Sequence, residues 1–341
     1  MSETDRKPLV AVVMAGGTGT RLYPASTTNR PKPFLTLGTD RSLLARTVDR
    51  VSFADEIYIL TRPSFTDAVR DVVPDVGILT EPEPKDTGPA LVYAAARLGE
   101  QVGDCVLLSV PCDHHVDGRF ELTARQAARC GAKTEGLVTI GIEPDGPSTD
   151  YGYIEPESIP GETNDWQRVS TFVEKPGIAK AREFVNDGYY WNSGTFAWTP
   201  AALLSAAATT ELAPLVDAME AGQPEKGFEA VEAVSIDRAV LEKASSVYVV
   251  PASFDWGDVG TWNGLAETLD TDDRGNVGVG DVTALECENC IIAGDESVRA
   301  IGVSNLLIAS YGGQTVVVPR ERALEVSQLA GEDDDSAPSG N

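Results

Sequence analysis

A glycine-rich loop stands directly after the first apolar run of the chain, Leu9–Val13. Gly16, Gly17 and Gly19 have no Cβ, so their backbone N–H groups can approach a bound phosphate closely. The loop lacks the G-K-[ST] ending of a P-loop and the third glycine of a Rossmann turn. We therefore predict a phosphate-binding loop of another kind, which extends through Thr20.

Two cations in the same stretch match this chemistry. Arg21 can hold two phosphate oxygens at once, and Lys32 supplies a compact point charge. Pro31 and Pro33 restrict the backbone on both sides of Lys32. A surface turn with solvated cations is the alternative, but clustered bases in so acidic a chain favour a phosphate site. We expect Lys32→Ala to leave the fold intact, because a solvated loop lysine contributes little to stability.

Two aspartates are candidate metal ligands. Asp113 follows the apolar run Cys105–Val110, and Asp258 stands between glycines in WGDVG. Two hard carboxylates suit Mg²⁺, which takes its other ligands from waters and substrate phosphates. Each aspartate alone could be a helix cap or a turn residue, but the pair favours a metal site. His114 and His115 are interpreted as turn residues.

The elements that must position these residues alternate between strand and helix. The runs beginning at Leu9, Glu56, Cys105 and Gly136 are nearly continuous in apolar residues, as buried parallel strands are. Helix-like segments separate them, which predicts a doubly wound, mostly parallel α/β sheet. Ligands bind at the carboxyl edge of such a sheet, so we expect the glycine loop and Asp113 to face each other there.

The sequence changes in character after residue 265. From there short β-prone pieces alternate with Gly, Asn and Asp, and no helix is expected before RALEVSQLA. We predict an α/β domain over 8–265 and a small all-β module over 266–329, of the β-solenoid kind and a candidate left-handed β-helix. The acidic stretch 330–341 is predicted to be a disordered tail.

Composition and charge exclude several classes of protein. The chain is 42% hydrophobic and has no apolar run of membrane-spanning length, as is typical of soluble globular proteins. Its net charge of −26 repels nucleic acid and anionic membranes, so neither is an expected partner. The acids are dispersed and lysine is scarce, which favours a halophile with a high-salt cytoplasm. The amino-terminal MSETDRKP lacks the apolar stretch of a signal peptide, so a cytoplasmic location is expected.

The cysteines are predicted to be plain buried thiols. Five cysteines are too few and too scattered for a disulfide framework in a chain of this length. Cys287 and Cys290 form a C-x-x-C, but no second pair or His partner accompanies them as a zinc site would require.

Several motifs together resemble those of the sugar-nucleotide pyrophosphorylases, the nucleotidyltransferases that act on sugar 1-phosphates. The loop AGGTGTRLYPASTTNRPKPFL is similar to the signature G-G-x-G-x-R-L-x-P…P-K of that family. Further motifs match in the family's order: VPCDHHV, YGYIE, FVEKP, YWNSGTF and FDWGDVGTW. WNSG with W-x-DVG-x-W is most similar to the guanylyltransferases that act on mannose 1-phosphate, and the resemblance covers roughly residues 8–329.

This resemblance implies a reaction and its ligands. The chain is expected to transfer GMP from GTP to α-D-mannose 1-phosphate, with Mg²⁺ held by Asp113 and Asp258. The family's use of its carboxyl-terminal module implies a homodimer or larger assembly. The alternatives are a uridylyl- or thymidylyltransferase that uses glucose 1-phosphate, and a non-catalytic regulatory subunit. Loss of Lys32 or the aspartates would favour the subunit, and none is lost.

The sugar side of the site also follows from the resemblance. It implies that Glu174 and Asn192 bind sugar hydroxyls, that Lys175 neutralises the sugar 1-phosphate, and that Gly152 lets the backbone approach the ring. The residues alone leave two alternatives open: a strand end with solvated charges at FVEKP, and a buried asparagine that satisfies local backbone.

One segment departs from the family's pattern. Where the guanylyltransferases commonly read N-T-A-P-A, this chain has Asp86, Thr87 and Gly88 in DTGPA. We still predict a helix start at the nucleotide pocket, capped by Asp86 or Thr87. The carboxylate of Asp86 could accept from guanine's N1–H and N2 amino group, or it could repel the triphosphate.

Overall fold

The computed structural model describes residues 7–157 and 165–331. Its strands are, in chain order, β1 (Leu9–Met14), β2 (Glu56–Thr61), β3 (Gly77–Thr80), β4 (Val106–Pro111), β5 (His114–Gly118), β6 (Leu137–Ile142), β7 (Tyr153–Pro156), β8 (Gln167–Val173), β9 (Tyr190–Trp198), β10 (Val247–Pro251), β11 (Phe254–Asp258), β12 (Val277–Val279), β13 (Val282–Leu285), β14 (Ile291–Gly294), β15 (Val298–Ile301), β16 (Leu306–Tyr311) and β17 (Gln314–Pro319). Its α-helices are α1 (Leu43–Arg50), α2 (Thr66–Val72), α3 (Thr87–Gln101), α4 (Phe120–Thr134), α5 (Ile178–Asn186), α6 (Pro200–Ala207), α7 (Ala213–Glu220), α8 (Pro224–Glu229) and α9 (Trp262–Glu267).

The described residues divide into two compact units. Unit 1 takes the chain up to residue 16, then 48–111 and 117–255, and unit 2 takes 17–47, 112–116 and the chain from 256 onward. The domain boundary predicted at 265/266 remains a prediction. The predicted disordered tail lies outside the described residues from 332 onward.

Unit 1 is built on a nine-stranded sheet in the order β3-β2-β1-β4-β9-β6-β10-β8-β7. The strands predicted from apolar runs are confirmed as β1, β2, β4 and β6, and β1 pairs in parallel with both β2 and β4. The sheet is mixed and not mostly parallel as predicted, because β9 is antiparallel to β4, β6 and β7, and β8 is antiparallel to β7 and β10. Strand β9 carries the YWNSGTF motif into the middle of the sheet.

Helices α3, α6, α7 and α8 share one apolar core with the sheet of unit 1. The helices predicted between the apolar strands are confirmed as α1 to α4. Along α3 the buried positions Leu91, Ala94, Ala95 and Leu98 repeat at the spacing of one helix face. No helix in the two described ranges is long and apolar enough to cross a membrane.

Unit 2 contains a stack of parallel strands. β12, β14 and β16 pair in parallel and in register, β13 pairs in parallel with β15, and β17 closes one edge antiparallel to β16. The core of unit 2 joins this stack to Leu22 and Tyr23, the residues after the glycine loop, through Trp262. The indole Nε1 of Trp262 donates to the carbonyl oxygen of Tyr23 at 3.0 Å.

The predicted helix at RALEVSQLA is a run of 3₁₀ turns over Arg320–Gly331. Its buried residues Ala323 and Val326 are three positions apart, and a 3₁₀ helix aligns residues at that spacing on one face.

Candidate active site

Thr18 and Gly19 of the glycine loop contact Lys32 in unit 2. Gly19 has a backbone φ of +77°, and an alanine Cβ there would collide with the Lys32 side chain. The backbone N–H of Lys32 donates to the carbonyl oxygen of Thr18 at 3.2 Å. Gly17 is open, since no described heavy atom lies within 4 Å of the place where its Cβ would stand. Gly19 therefore packs on the lysine side chain, and Gly17 has open space next to its Cα.

Lys32 is not the solvated loop lysine that the sequence led us to expect. It begins a 3₁₀ turn between the two prolines, and only 5% of it is exposed. Its Nζ forms an ion pair and hydrogen bond with Oδ2 of Asp113. The reason given for expecting an unaffected fold is therefore wrong, and we now expect a cost in stability, because removing Lys32 would take a charged partner from the Asp113 carboxylate.

Asp113, His114 and Asp258 form a cluster in unit 2. Their nearest ligand atoms all lie within 4.8 Å of one another. The Asp258 carboxylate occupies space that a side chain at residue 260 would fill, because a Cβ on Gly260 would stand 2.7 Å from Oδ2 of Asp258. Burial by itself raises the pKa of Asp113, but the charge and hydrogen bond of Lys32 hold that pKa well below its usual range.

His114 differs from the two carboxylates of this cluster in its hydrogen bonding. Trp256 Nε1 donates to His114 Nδ1 at 3.2 Å, so a neutral His114 carries its proton on Nε2. This leaves Asp113 and Asp258 as the donors suited to a hard cation. Both histidines begin strand β5 and are not turn residues, which corrects the interpretation from sequence.

The predicted sugar-binding residues come together in unit 1. A Cβ on Gly152 would stand 2.7 Å from Oε2 of Glu174 and 3.4 Å from the Asn192 Cβ, and Asn192 N donates to Gly152 O at 2.8 Å. Lys175 Nζ forms an ion pair with Glu174 Oε1 at 3.2 Å, with the glutamate side chain 9% exposed and the lysine 53%. The glutamate side chain is therefore nearly buried, and the lysine side chain is exposed.

Asn192 is held by hydrogen bonds at both ends of its side-chain amide. Its Oδ1 accepts from Thr139 Oγ1 at 2.8 Å and from Gly194 N at 3.1 Å, and its Nδ2 donates to Asp237 Oδ1 at 2.8 Å. Of these three bonds, only the one from Gly194 N fits the alternative of an asparagine that satisfies local backbone, since Thr139 and Asp237 bind through side chains distant in sequence. One N–H of Nδ2 is left for a ligand, as judged within the described residues.

The predicted helix start at the DTGPA segment is confirmed at α3. Asp86 is its N-cap, and Asp86 Oδ1 accepts from Thr87 N at 2.6 Å. Thr87 Oγ1 accepts from Ile236 N at 3.0 Å. The cap uses one oxygen of the exposed Asp86 carboxylate, and a role of Asp86 in base binding stays a prediction.

Glu81 is a candidate site residue that reasoning from sequence missed. It follows β3 at the carboxyl edge of the sheet, is 5% exposed, and its Oε2 has no hydrogen-bond partner among the described residues. A Cβ on Gly16 would stand 3.0 Å from Glu81 Oε1, and Arg62 Nε donates to Gly16 O at 2.8 Å. Burial raises the pKa of Glu81 to about 7, against the opposing charge of Arg62. The signal available in the sequence was its position directly after a buried strand.

Melting temperatures measured over a range of pH are expected to show how much the buried carboxyl of Glu81 lowers the stability of the fold. Because its folded pKa is raised, Glu81 lowers stability as pH rises from its unfolded value to about 7. We therefore expect Glu81→Gln to melt higher than the original protein at pH 8 by several degrees, with the gap shrinking at pH 5. Glu229→Gln, at an exposed position in α8, is the control. A gap that is the same at both pH values would contradict the raised pKa.

The predicted site residues are divided between the units as follows. Unit 2 holds Gly17, Gly19, Thr20, Arg21, Lys32, Asp113 and Asp258, and unit 1 holds Gly16, Asp86, Thr87, Gly152, Glu174, Lys175 and Asn192. The structure brings the lysine and both aspartates of unit 2 together, whereas Arg21 is exposed on the 3₁₀ turn Thr20–Leu22. In unit 1 the glycine, glutamate, lysine and asparagine of the sugar side form one group.

Known proteins resemble this chain over most of its length. A family described as nucleotidyl transferase matches residues 10–274. The mannose-1-phosphate guanylyltransferase of Klebsiella pneumoniae is 34% identical over 94% of this chain and 73% of its own length. The xanthan biosynthesis protein XanB of Xanthomonas campestris is 32% identical over 94% of this chain and 72% of its own. A crystal structure described as mannose-1-phosphate geranyltransferase from Thermus thermophilus superposes with a TM-score of 0.87 at 34% identity, covering 96% of this chain and 99% of that one.

Proposed function

Because the chain belongs to the nucleotidyl transferase family, we propose that it transfers GMP from GTP to α-D-mannose 1-phosphate and releases pyrophosphate. The observation that carries this proposal is the cluster of Asp113 and Asp258 beside buried Lys32, the lysine on which Gly19 of the glycine-rich loop packs. The names of relatives such as the Klebsiella enzyme support the choice of substrates.

The reaction joins two anions, so charge neutralisation and positioning are its main requirements. A phosphate oxygen of mannose 1-phosphate attacks the α-phosphorus of GTP, the bond to the β-phosphate breaks, and pyrophosphate leaves. Gly17 and Gly19 would place backbone N–H groups against the triphosphate, and Lys32 and Arg21 would offset its charge.

Mg²⁺ is the cofactor that fits the donor set. Asp113 and Asp258 would hold it, since their carboxylates are hard oxygen donors within 4.8 Å of each other. When bound, the ion would supply neutralisation of phosphate charge. Lys32 would then lie against one of its ligands and act on the same phosphates.

The group of Gly152, Glu174, Lys175 and Asn192 in unit 1 would take the sugar. Glu174, 9% exposed in its side chain, would accept from sugar hydroxyls, and the remaining N–H of Asn192 would donate to one. The exposed side chain of Lys175 would pair with the sugar phosphate. Gly152 leaves room there for the carboxylate of Glu174.

Selection of guanine would rest on Glu81 more than on Asp86. A buried carboxylate with an unpartnered oxygen beside Gly16 can accept from guanine's N1–H and N2 amino group together. A pyrimidine base offers no such pair of donors. A uridylyl- or thymidylyltransferase that uses glucose 1-phosphate remains the alternative, as does a non-catalytic sugar-nucleotide-binding subunit.

The decisive experiment is pyrophosphate release with each of four nucleoside triphosphates and with mannose, glucose and galactose 1-phosphates. We expect GTP with mannose 1-phosphate to give the highest kcat/KM. Release with UTP or TTP and glucose 1-phosphate instead would favour the alternative, and no release with any pair would favour the subunit. The assay is run across a KCl series, because halophilic behaviour also stays a prediction from the charge of −26.

We further propose a left-handed β-helix for the parallel stack of unit 2, and a homodimer or larger assembly formed through it. Leu285 and Ile301 support the second proposal, since they are register partners on β13 and β15 and are 54% and 66% exposed. A cytoplasmic location, without nucleic-acid or membrane partners, accords with the charge.

A further inference from the structure

A single π-helical turn holds two residues of the proposed sugar site. The turn runs from Asp237 to Leu241 and is closed by the bond from Glu242 N to Asp237 O, five residues apart, at 2.9 Å. Asp237 accepts from Asn192 Nδ2 at 2.8 Å, and Glu242 Oε1 accepts from Glu174 N at 2.9 Å. Both ends of the turn are therefore bonded to residues that the sequence assigned to the sugar.

The π geometry explains how both contacts are made. In an α-helix, residues five apart are rotated by about 140° about the axis and face different directions. An i→i+5 bond widens the turn, so residues at this spacing face more nearly the same side than they would in an α-helix. Asp237 and Glu242 can therefore serve neighbouring partners on β9 and at the end of β8.

Hydrogen bonds to the start of α3 hold the residues that precede this turn. Gly88 N donates to Val234 O at 2.9 Å, and an alanine Cβ at residue 88 would stand 2.6 Å from that oxygen. Ile236 N donates to Thr87 Oγ1 at 3.0 Å. The glycine that departs from the family's alanine thus permits close packing of the segment on the start of α3 in this chain.

The partner of Glu242 lies at a strained point of the backbone. Lys175, directly after Glu174, has a φ of +47°, which is unusual for a residue with a side chain. Such conformations persist where surrounding contacts hold them, and they concentrate at ligand clamps. The bond from Glu242 to the adjacent N–H is one of those contacts.

We propose that Asp237 and Glu242 are positioning residues for the sugar phosphate: Asp237 orients the amide of Asn192, and Glu242 fixes the backbone that presents Glu174 and Lys175. This inference rests on the proposed function. Neither residue needs to touch the substrate. Their removal affects sugar-phosphate binding and leaves nucleotide binding nearly unchanged.

The test compares alanine variants with variants that keep the acceptor oxygen. Asp237→Ala and Glu242→Ala are expected to raise the KM for mannose 1-phosphate about tenfold and to change the KM for GTP less than about twofold. Asp237→Asn and Glu242→Gln can still accept the same hydrogen bonds, so they are expected to recover most of the loss. Arg238→Ala, at an exposed position on the same turn, is the matched control.

A double-variant cycle separates positioning from general damage. If Asp237 acts through Asn192, adding Asp237→Ala to Asn192→Ala raises the KM little further. Equal increases in both KM values, or lost melting temperature without a KM effect, would overturn the inference. Should Asp237→Ala not fold, Glu242→Ala carries the test, because Glu242 is exposed.

The original protein is assayed first, so that the two failures are distinct. If it releases no pyrophosphate with any substrate pair, the proposed function fails and the inference falls with it. If it is active and the variants keep its KM for mannose 1-phosphate, the inference alone is overturned.

Discussion

Asp113→Asn and Asp258→Asn are each expected to reduce Mg²⁺-dependent turnover by about a thousandfold or more. An amide is neutral and a poorer ligand for a hard cation, so one substitution is enough to disable a pair of carboxylates within 4.8 Å. The double variant is expected to be little worse than either single one, because the two residues act as a unit. Turnover of each variant is measured against Mg²⁺ concentration.

Two other aspartates provide matched controls for this pair. Asp117 on β5 and Asp255 on β11 are exposed carboxylates near the candidate ligands in the chain. Their asparagine variants are expected to keep normal turnover and Mg²⁺ dependence. A separate readout is the rise in melting temperature on adding Mg²⁺, which Asp258→Asn should lose. If either candidate variant kept ordinary Mg²⁺ dependence, that aspartate would not be a metal ligand.

Much of the fold was predictable because it depends on local patterns. The buried strands β1, β2, β4 and β6 stand out as apolar runs, and α3 shows the spacing of one buried face. The antiparallel placement of β9 was not predictable from such patterns. It depends on pairing with β4 and β6, which are distant in sequence, and these pairings leave no periodic signal.

The site could be predicted only as far as residue types allowed. Their chemistry identified the loop glycines, Lys32, Asp113 and Asp258 as candidates. The structure adds that Lys32 is buried and forms an ion pair with Asp113. Glu81 was missed because a single carboxylate after a strand resembles any surface charge until its burial is known. Asp237 and Glu242 depend on a π turn, which hydrophobic periodicity does not distinguish from an ordinary helix.

Lys32 gives the second large effect, on both catalysis and stability. Lys32→Met is expected to lower turnover by at least about a hundredfold, because a buried cation that offsets phosphate charge is lost. It is also expected to cost about 1–3 kcal/mol of stability at pH 7, since the Asp113 side chain is only 28% exposed and would lose its partner. Methionine is unbranched and nearly as long as lysine, so Gly19 can still pack against the part of the side chain nearest the backbone.

The pH dependence identifies the source of that stability cost. In the original protein Asp113 has a lowered pKa, so its contribution is present above the unfolded value and is lost as pH falls toward the folded one. In Lys32→Met the same carboxyl is buried without a cation, and protonation at low pH relieves the cost. The gap in melting temperature between the two proteins should therefore be widest near pH 7 and shrink below about pH 4.

Two variants show whether the cost belongs to the ion pair itself. Lys180→Met removes an exposed lysine that pairs with Glu183 on α5, and it is expected to change neither turnover nor melting temperature measurably. Asp113→Asn combined with Lys32→Met should restore part of the stability lost by the single lysine variant, because no unpaired charge remains. Turnover should stay low in that double variant. A lysine variant as stable as the original at every pH would mean that Asp113 finds another partner or reaches water when Lys32 is gone.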